Sequence, residues 1–287
     1  MTEVLQERAL EPAWAPGRGA RARLAAVYVL VGLLGVAAFA WPFLIPTEAL
    51  PASAHGGDAP LIGAAVAVLV VAALAVELRE RAMSGATVAL LGVLAASAAL
   101  LRLLDLPGGG SGIFFLVILA GAAFGARFGL LLGLVSMAVS AVLTGGLGPW
   151  LPFQMLALGW MAAGAGALGR ITARLPAWGE VAVLALYGWL WGFAYGAILN
   201  LWFWPFVVDG GPLSYDPALE PAGVLRRYLA FYAVTSFGWD AAGALANAVL
   251  IALTGKPLLA SMRRFAGRLR PVVELDAPGV GSGAEVH

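Results

Sequence analysis

Residues 106–170 read LPGGGSGIFFLVILAGAAFGARFGLLLGLVSMAVSAVLTGGLGPWLPFQMLALGWMAAGAGALGR. Three apolar runs in this stretch are separated by the turn sequences FGARFG and GGLGPW, and the glycine-rich LPGGGSG precedes the first run. An apolar run of about 20 residues is long enough to cross a bilayer as a helix. The first run, over 113–125, reaches only about 20 Å at about 1.5 Å per residue, so we expect a short helix that other helices cover.

The composition extends this interpretation to the whole chain. Hydrophobic residues make up 61% and charged residues 11% of the 287 residues, whereas soluble domains average about 45–50% and about 25%. We therefore predict an all-α polytopic membrane protein with about eight transmembrane helices. The predicted spans are residues 24–45, 61–78, 86–104, 113–125, 128–145, 151–172, 181–206 and 228–254.

Positive charges are distributed unevenly between the two sets of loops that these spans create. Only Arg102, Arg226 and Arg227 fall on the outer side, and the other 14 of the 17 Lys and Arg residues fall on the inner side. Loops rich in Lys and Arg stay in the cytoplasm. The distribution predicts a multi-pass protein of the cell membrane with both termini in the cytoplasm. The inner residues are Arg8, Arg18, Arg21, Arg23, Arg79, Arg81, Arg127, Arg170, Arg174, Lys256, Arg263, Arg264, Arg268 and Arg270.

The chain divides into four predicted parts. Residues 1–23 form a cytoplasmic head that is rich in Pro, Gly and charge, lacks periodicity and is expected to be disordered. Residues 24–85 contain two N-terminal transmembrane helices with almost no polar residue. Residues 86–255 form a core of six helices. Residues 256–287 form a cytoplasmic tail that is first basic and then disordered.

The residue inventory excludes several kinds of chemistry. No cysteine is present, and the two histidines, His55 and His287, are far apart in sequence, so no metal site is expected. The net charge of +1 gives no reason to expect a nucleic-acid partner. No GxxxxGK[ST] phosphate-binding loop occurs, because the glycines of GGGSGIFF are not followed by a Lys. We predict no catalytic residue, no metal and no cofactor.

The order of features in residues 106–170 resembles the substrate-binding S component of energy-coupling factor (ECF) vitamin transporters. These features are a glycine-rich outer loop, a short helix, a tight inner turn, and two helices spaced by small residues. The resemblance covers the six-helix core. It implies a subunit that captures a vitamin or related micronutrient outside the cell, without catalysis. It also implies two kinds of partner, namely a membrane coupling (T) subunit and two cytoplasmic ATPase subunits.

Within the family, the GPWLPFQ sequence at the rim resembles the cobalamin branch, and the large aromatic content suits a bulky ligand. Cobalamin is therefore the first ligand expected. A queuosine precursor, a thiamine precursor or another cofactor fragment remains an open alternative.

The resemblance also implies a coupling surface of small residues on the first core helix. Small residues four positions apart let another helix approach closely. Three pairs have this spacing, namely Gly85/Ala89, Gly92/Ala96 and Ala95/Ala99, and internal packing is the alternative use of the same spacing. The candidate coupling residues are Ala89, Gly92, Ala95, Ala96 and Ala99.

A ligand site is expected in the outer half of the core. Polar and aromatic side chains concentrate near the outer ends of the last three spans. On the eighth span they recur at helical spacing as a stripe that should avoid lipid. The stripe consists of Tyr228, Tyr232, Ser236, Asp240 and Asn247. The candidate substrate-binding residues are Trp150, Phe153, Gln154, Trp160, Tyr195, Asn200, Trp202, Tyr232, Ser236 and Asp240.

Asp240 is the most informative candidate, because an ionisable group within a span is costly unless it is paired, protonated or facing water. Two roles remain open for it. One is a ligand acceptor or conformational switch, and the other is a structural bond between helices, with Asn200 or Tyr187 as partner. Arg102 presents a similar choice at the outer end of the third span. It either holds a carboxylate or phosphate, or extends to the interface, or pairs with Asp105.

Two other functions remain open. An ion-coupled secondary transporter of a small organic solute usually shows broken helices in both halves of an inverted repeat, and this sequence shows one broken region. An intramembrane enzyme needs paired carboxylates, a His cluster or a Ser/Lys set within the membrane, and only Asp240 qualifies. The sequence therefore favours a binding and translocation subunit.

Overall fold

The computed structural model describes residues 18–46, 49–50, 53–106, 110–208 and 210–268. This part of the chain is helical apart from short connections and one antiparallel pair of two-residue strands, β1 (Asp105–Leu106) and β2 (Gly110–Ser111). The all-α prediction is confirmed. The α-helices are α1 (Arg18–Ala40), α2 (Ala59–Arg79), α3 (Gly85–Leu101), α4 (Ile113–Phe124), α5 (Ala126–Thr144), α6 (Leu151–Thr172), α7 (Ala177–Phe203), α8 (Pro221–Thr235) and α9 (Phe237–Arg268).

Six of the described helices, α1, α2, α5, α6, α7 and α9, are long and apolar enough to cross a membrane. The helices α3 and α4 are apolar but shorter, with 17 and 12 residues. These eight helices correspond in order to the eight predicted spans. Nine of the 12 residues of α4 are buried, so this short helix lies inside the bundle, as its length requires.

Glycine brings α4, α5 and α6 into backbone contact at the centre of the bundle. A methyl group at Gly121 of α4 or at Gly129 of α5 would overlap the carbonyl oxygen of Ala162 on α6. In the same way, a methyl group at Gly166 of α6 would overlap the backbone at Ala126. One glycine from each helix, namely Gly121, Gly129 and Gly166, therefore sets the distance between the three helix axes.

The remaining helices pack around this centre. The helices α7 and α9 run antiparallel and in close contact. A methyl group at Gly192 of α7 would overlap the backbone of Ala244 on α9. The hairpin of α1 and α2 packs against α6, where Gly35 lies against the ring of Trp160. The two N-terminal helices are thus in direct contact with the predicted core.

The eighth span departs from the prediction. The chain forms two helices, α8 and α9, with a break at Ser236, whose φ of −129° and ψ of −30° leave helical geometry. The single stripe expected on one helix is therefore wrong. Tyr228 and Tyr232 lie on α8, whereas Asp240 and Asn247 lie on α9.

Side-chain hydrogen bonds explain the break. The Thr235 hydroxyl donates to the carbonyl of Phe231 (2.8 Å), and Ser236 exchanges hydrogen bonds with the Asn200 amide of α7 (2.8 and 3.0 Å). Ser and Thr side chains that bond in this way compete with the helical backbone and bend helices. The sequence AVTSFG at 233–238 places these competing groups next to a glycine.

The helix ends near the termini also differ from the prediction. The first helix begins at Arg18, so residues 18–23 are helical rather than disordered. The last helix continues to Arg268, past the predicted end of the span at residue 254. Residues 1–17 and 269–287, which include most of the predicted head and tail, lie outside the described residues.

Ion pairs join several helix ends at one end of the bundle, which we call the arginine-rich end. Glu77, fully buried near the end of α2, accepts a hydrogen bond from Tyr28 (2.8 Å) and pairs with Arg127 at the start of α5 (3.0 Å). Glu180 at the start of α7 pairs through both oxygens with Arg263 of α9. The opposite, tryptophan-rich end carries Trp41, Trp150, Trp202 and Trp204.

The glycine contact at the centre predicts a stability difference between two Gly→Ala variants. We expect Gly129→Ala to lower the unfolding free energy by about 1–3 kcal/mol, because the added methyl group overpacks a backbone contact. Gly92→Ala is the matched control, since the space around Gly92 is open for 4 Å and Ala favours a helix by up to about 1 kcal/mol. Thermal unfolding in detergent, followed by tryptophan fluorescence, measures both. Equal melting temperatures would contradict a close backbone contact at Gly129.

Candidate functional site

A cavity of about 330 Å³ lies in the bundle near the tryptophan-rich end. Side chains from α4, α5, α6, α7 and α9 and from the segment between α3 and α4 form its wall. Two of these side chains, Arg102 and Asp240, carry opposite charges. The other lining residues that matter for recognition are Ser111, Phe114, Gln154, Tyr195 and Trp239.

Arg102 enters the cavity from the C-terminal end of α3. Its Nη1 donates to the hydroxyl of Ser140 (3.3 Å) and lies 3.0 Å from the sulfur of Met137, and both of these α5 residues are buried. The guanidinium thus reaches into the bundle instead of extending to the interface. The side chain of Asp105, the other partner considered for it, lies outside the described residues.

Asp240 enters the cavity from the first turn of α9, where the helix dipole favours a negative charge. Its carboxylate lies against Gly196 of α7, where any side chain would overlap it. The Tyr232 hydroxyl of α8 donates to the carbonyl of Phe193 on α7 (3.4 Å). The other partners considered for Asp240 bond elsewhere, because Asn200 pairs with Ser236 and Tyr187 donates to a carbonyl of α6 (2.7 Å). A purely structural bond from Asp240 to either residue is therefore wrong.

Gln154 and Tyr195 complete the polar wall. Gln154 projects from the first turn of α6, and Tyr195 projects from α7 with its ring 4.8 Å from the ring of Phe114. Two buried acceptor atoms of the cavity residues, Gln154 Oε1 and Asp240 Oδ2, have no hydrogen-bond partner among the described residues. Because unpaired buried acceptors are costly, these two atoms mark where a bound molecule would donate hydrogen bonds.

The structure brings three of the ten sequence-predicted residues, Gln154, Tyr195 and Asp240, into the cavity wall, whereas Tyr232 bonds to the backbone of α7. Arg102 was considered for this site but was not among the ten, and Phe114, Ser111 and Trp239 were missed. The sequence signal for Arg102 is its position within one turn of an apolar helix, beside a glycine-rich loop.

The remaining predicted residues contribute to helix packing. Phe153 and Trp160 pack against Phe39 of α1, with ring centroids 5.0 and 5.9 Å apart. Trp150 is half exposed and donates to the carbonyl of Gly146 (3.2 Å). Asn200 and Ser236 bond to each other, and Trp202 stacks on a buried histidine.

That histidine, His55, belongs to a second polar group at the tryptophan-rich end, between α1 and α2. It has 0% exposure, and its Nδ1 lies 2.7 Å from Asp58 Oδ2, which also accepts a hydrogen bond from the Trp41 indole (2.9 Å). The imidazole packs against Phe153 (4.4 Å between centroids) and stacks on Trp202 (6.0 Å). This cluster joins the α1–α2 hairpin to α6 and α7 at the tryptophan-rich end. The sequence had placed His55 in a loop without a role.

Burial lowers the pKa of His55 below its usual value of about 6.5, against the opposing hydrogen bond and charge of Asp58. Below pH 6.5 the unfolded chain therefore takes up a proton that the folded chain does not. The His55 contribution to stability is complete above pH 6.5 and is lost as the pH falls from 6.5 to the folded-state pKa.

We expect His55→Asn to melt with a smaller pH dependence than the wild-type chain between about pH 7.5 and 5. Asn is the suitable replacement because residue 55 has a positive φ of 54°, which Asn tolerates. Melting temperatures of both proteins across this range provide the test, and the titrating groups that do not contact His55 cancel in the comparison. Identical slopes would show that His55 does not titrate differently on unfolding.

Comparison with known proteins gives no further guidance: no family model matches the chain, and no curated protein or solved structure matches it. Within the described residues, no group of three or more His, Asp or Glu side chains is placed to hold a metal ion. A function for the chain must therefore be inferred from the geometry and charge of the cavity.

Proposed function

We propose that this chain is the substrate-specificity subunit of an ECF-type importer. In this role it captures a small micronutrient at the tryptophan-rich end, and ATPase subunits on separate chains power uptake. The observation that carries the proposal is the cavity in which Arg102, Gln154, Tyr195 and Asp240 meet. Ionisable side chains facing a cavity within membrane helices are typical of substrate sites.

The proposed orientation has the tryptophan-rich end outside the cell. It rests on the positive-inside rule, because 14 of the 17 Lys and Arg residues belong to the predicted inner side. The cavity then lies in the outer half of the bundle, beside Ser111 of β2, where a ligand arriving from outside would enter.

The volume of the cavity bears on the choice of ligand. Small-molecule pockets measure about 300–1,000 Å³, and this one, at about 330 Å³, is at the lower end. Cobalamin, with its macrocycle and nucleotide loop, is far larger than such a cavity. The volume supports a smaller micronutrient than the sequence resemblance alone suggests.

The proposed coupling to a T subunit uses one face of α3. Of the five candidate residues, Ala95 and Ala99 are buried inside the bundle, whereas Ala89, Gly92 and Ala96 are exposed. The exposed residues form a strip of small side chains on which another helix would pack closely. We therefore assign the coupling role to the exposed strip and an internal packing role to Ala95 and Ala99.

The coupling assignment is tested by placing a bulky side chain in the strip of small residues. In cells that express the complete transporter, we expect Gly92→Leu to reduce co-purification of the T subunit about tenfold or more, equivalent to at least ~1.4 kcal/mol. Val93→Leu is the matched control, because Val93 is the next residue, is 63% exposed and lies beside the strip. Gly92→Leu should melt no lower than the wild-type chain and Val93→Leu should melt like it, since neither residue is packed in the bundle and Leu favours a helix over Gly.

The same purification tests the proposed function as a whole. The wild-type chain should carry with it one membrane subunit and two ATPases, and the reconstituted complex should accumulate ligand only with ATP. Accumulation by the chain alone, driven by an ion gradient, would contradict the proposal and favour a secondary transporter.

A further inference from the structure

The charges of the cavity differ from the other buried charges of the protein. Glu77 and Glu180 also lie in membrane-crossing helices, and each is paired with an arginine, Arg127 and Arg263 respectively. The ion pairs among the described residues do not include one between Arg102 and Asp240, although both line one cavity. Neither side chain has an oppositely charged partner among the described residues. A charge without such a partner is costly in this place, so the pattern indicates that a bound molecule supplies the partners.

The hydrogen bonds of Arg102 specify the first of these partners. The two described contacts, to Ser140 and to the Met137 sulfur, involve Nη1 alone and only neutral atoms. Nε and Nη2 are donors in the same planar fork. A fork of two N–H groups fits the two oxygens of a carboxylate or phosphate. The contacts with Ser140 and Met137 hold the guanidinium in position for such a group.

Asp240 and Gln154 specify the second partner. Asp240 Oδ2 and Gln154 Oε1 are buried acceptors without a donor among the described residues. A carboxylate accepts hydrogen bonds and repels another anion, so the part of the ligand near Asp240 must carry N–H or O–H donors. The neighbouring rings of Phe114 and Tyr195 in the same wall suit a flat body between the two polar ends.

We infer that the ligand is a small amphoteric molecule. Its carboxylate or phosphate group binds Arg102, and its N–H or O–H donors bind Asp240 and Gln154. This inference rests on the proposed function, because it assigns the chemical class of the molecule that the proposed subunit captures. It excludes purely cationic ligands, which leave Arg102 unpaired, and large neutral ligands, which exceed the cavity.

The test uses the purified full chain in detergent and, as the source of ligands, the low-molecular-mass fraction of yeast extract. The immobilised chain is incubated with this mixture, washed and denatured, and the released compounds are identified by mass spectrometry in both polarities. The binding of the most enriched compound is then measured by titration calorimetry. The variants are Arg102→Gln, Arg102→Lys and Asp240→Asn, and the matched control is Arg226→Gln, an exposed arginine outside the cavity.

The expected compound carries a carboxylate or a phosphate, which its mass spectrum distinguishes, together with N–H or O–H donors. We expect Arg102→Gln and Asp240→Asn each to weaken its binding about 10- to 100-fold, as for other hydrogen bonds to charged groups. Arg102→Lys should retain part of the affinity, since it keeps the charge but not the fork. Arg226→Gln should bind like the wild type. Melting temperatures show whether each variant is folded. If Arg102→Gln does not fold, the affinity of Arg102→Lys is compared with the wild type in its place.

Two results would overturn these claims separately. Enrichment of a cationic or uncharged compound, with an affinity that does not depend on Arg102, overturns the inference and leaves the proposed function intact. Enrichment of no compound from the mixture contradicts the proposed function itself.

Discussion

The structure depends on the backbone contact that glycine permits among α4, α5 and α6. In lipid, helices gain little from burying apolar surface and associate through close packing. Gly121, Gly129 and Gly166 remove the side chains that would hold these three helices apart. The same helices carry Phe114, Met137 and Gln154 into the cavity wall. A small shift in the central contact would therefore change the shape of the site, so packing and recognition are linked.

The buried charged side chains at the two ends of the bundle differ in their surroundings. At the arginine-rich end, Glu77 and Glu180 are buried with arginine partners and join helix ends that are distant in sequence. At the tryptophan-rich end, Arg102 and Asp240 face a cavity, and buried acceptor atoms there have no partner among the described residues. Paired charges hold the protein together, and we interpret the charges in the cavity as the recognition elements of a transport subunit.

The sequence was sufficient for the fold class and for most helix positions, because apolar runs and glycine turns are local signals. It also placed Gln154, Tyr195 and Asp240 near one end of the bundle. It missed the break at Ser236, because that break depends on a hydrogen bond to Asn200, 36 residues away. The inward direction of Arg102 and the burial of His55 were missed for the same reason, since both result from contacts between distant segments.

Spacing alone was also ambiguous for the small residues of α3. The pairs Gly92/Ala96 and Ala95/Ala99 have the same spacing, and only packing showed that the first faces outward and the second inward. Similarly, Phe153 and Trp160 were expected in the ligand site but pack against Phe39 of the N-terminal hairpin. No local signal in the sequence links this hairpin to the core, so its contacts with α6 could not be predicted.

We propose that the cavity opens to the outside of the cell, and the labelling of introduced cysteines tests this orientation. The chain has no cysteine, so a single introduced thiol reports its own surroundings. We expect Ser111→Cys, in the cavity wall, to react with a membrane-impermeant maleimide on intact cells. Ser261→Cys, exposed at the arginine-rich end, should react only after the membrane is permeabilised. The opposite pattern of labelling would contradict the orientation and, with it, the capture of a ligand from outside.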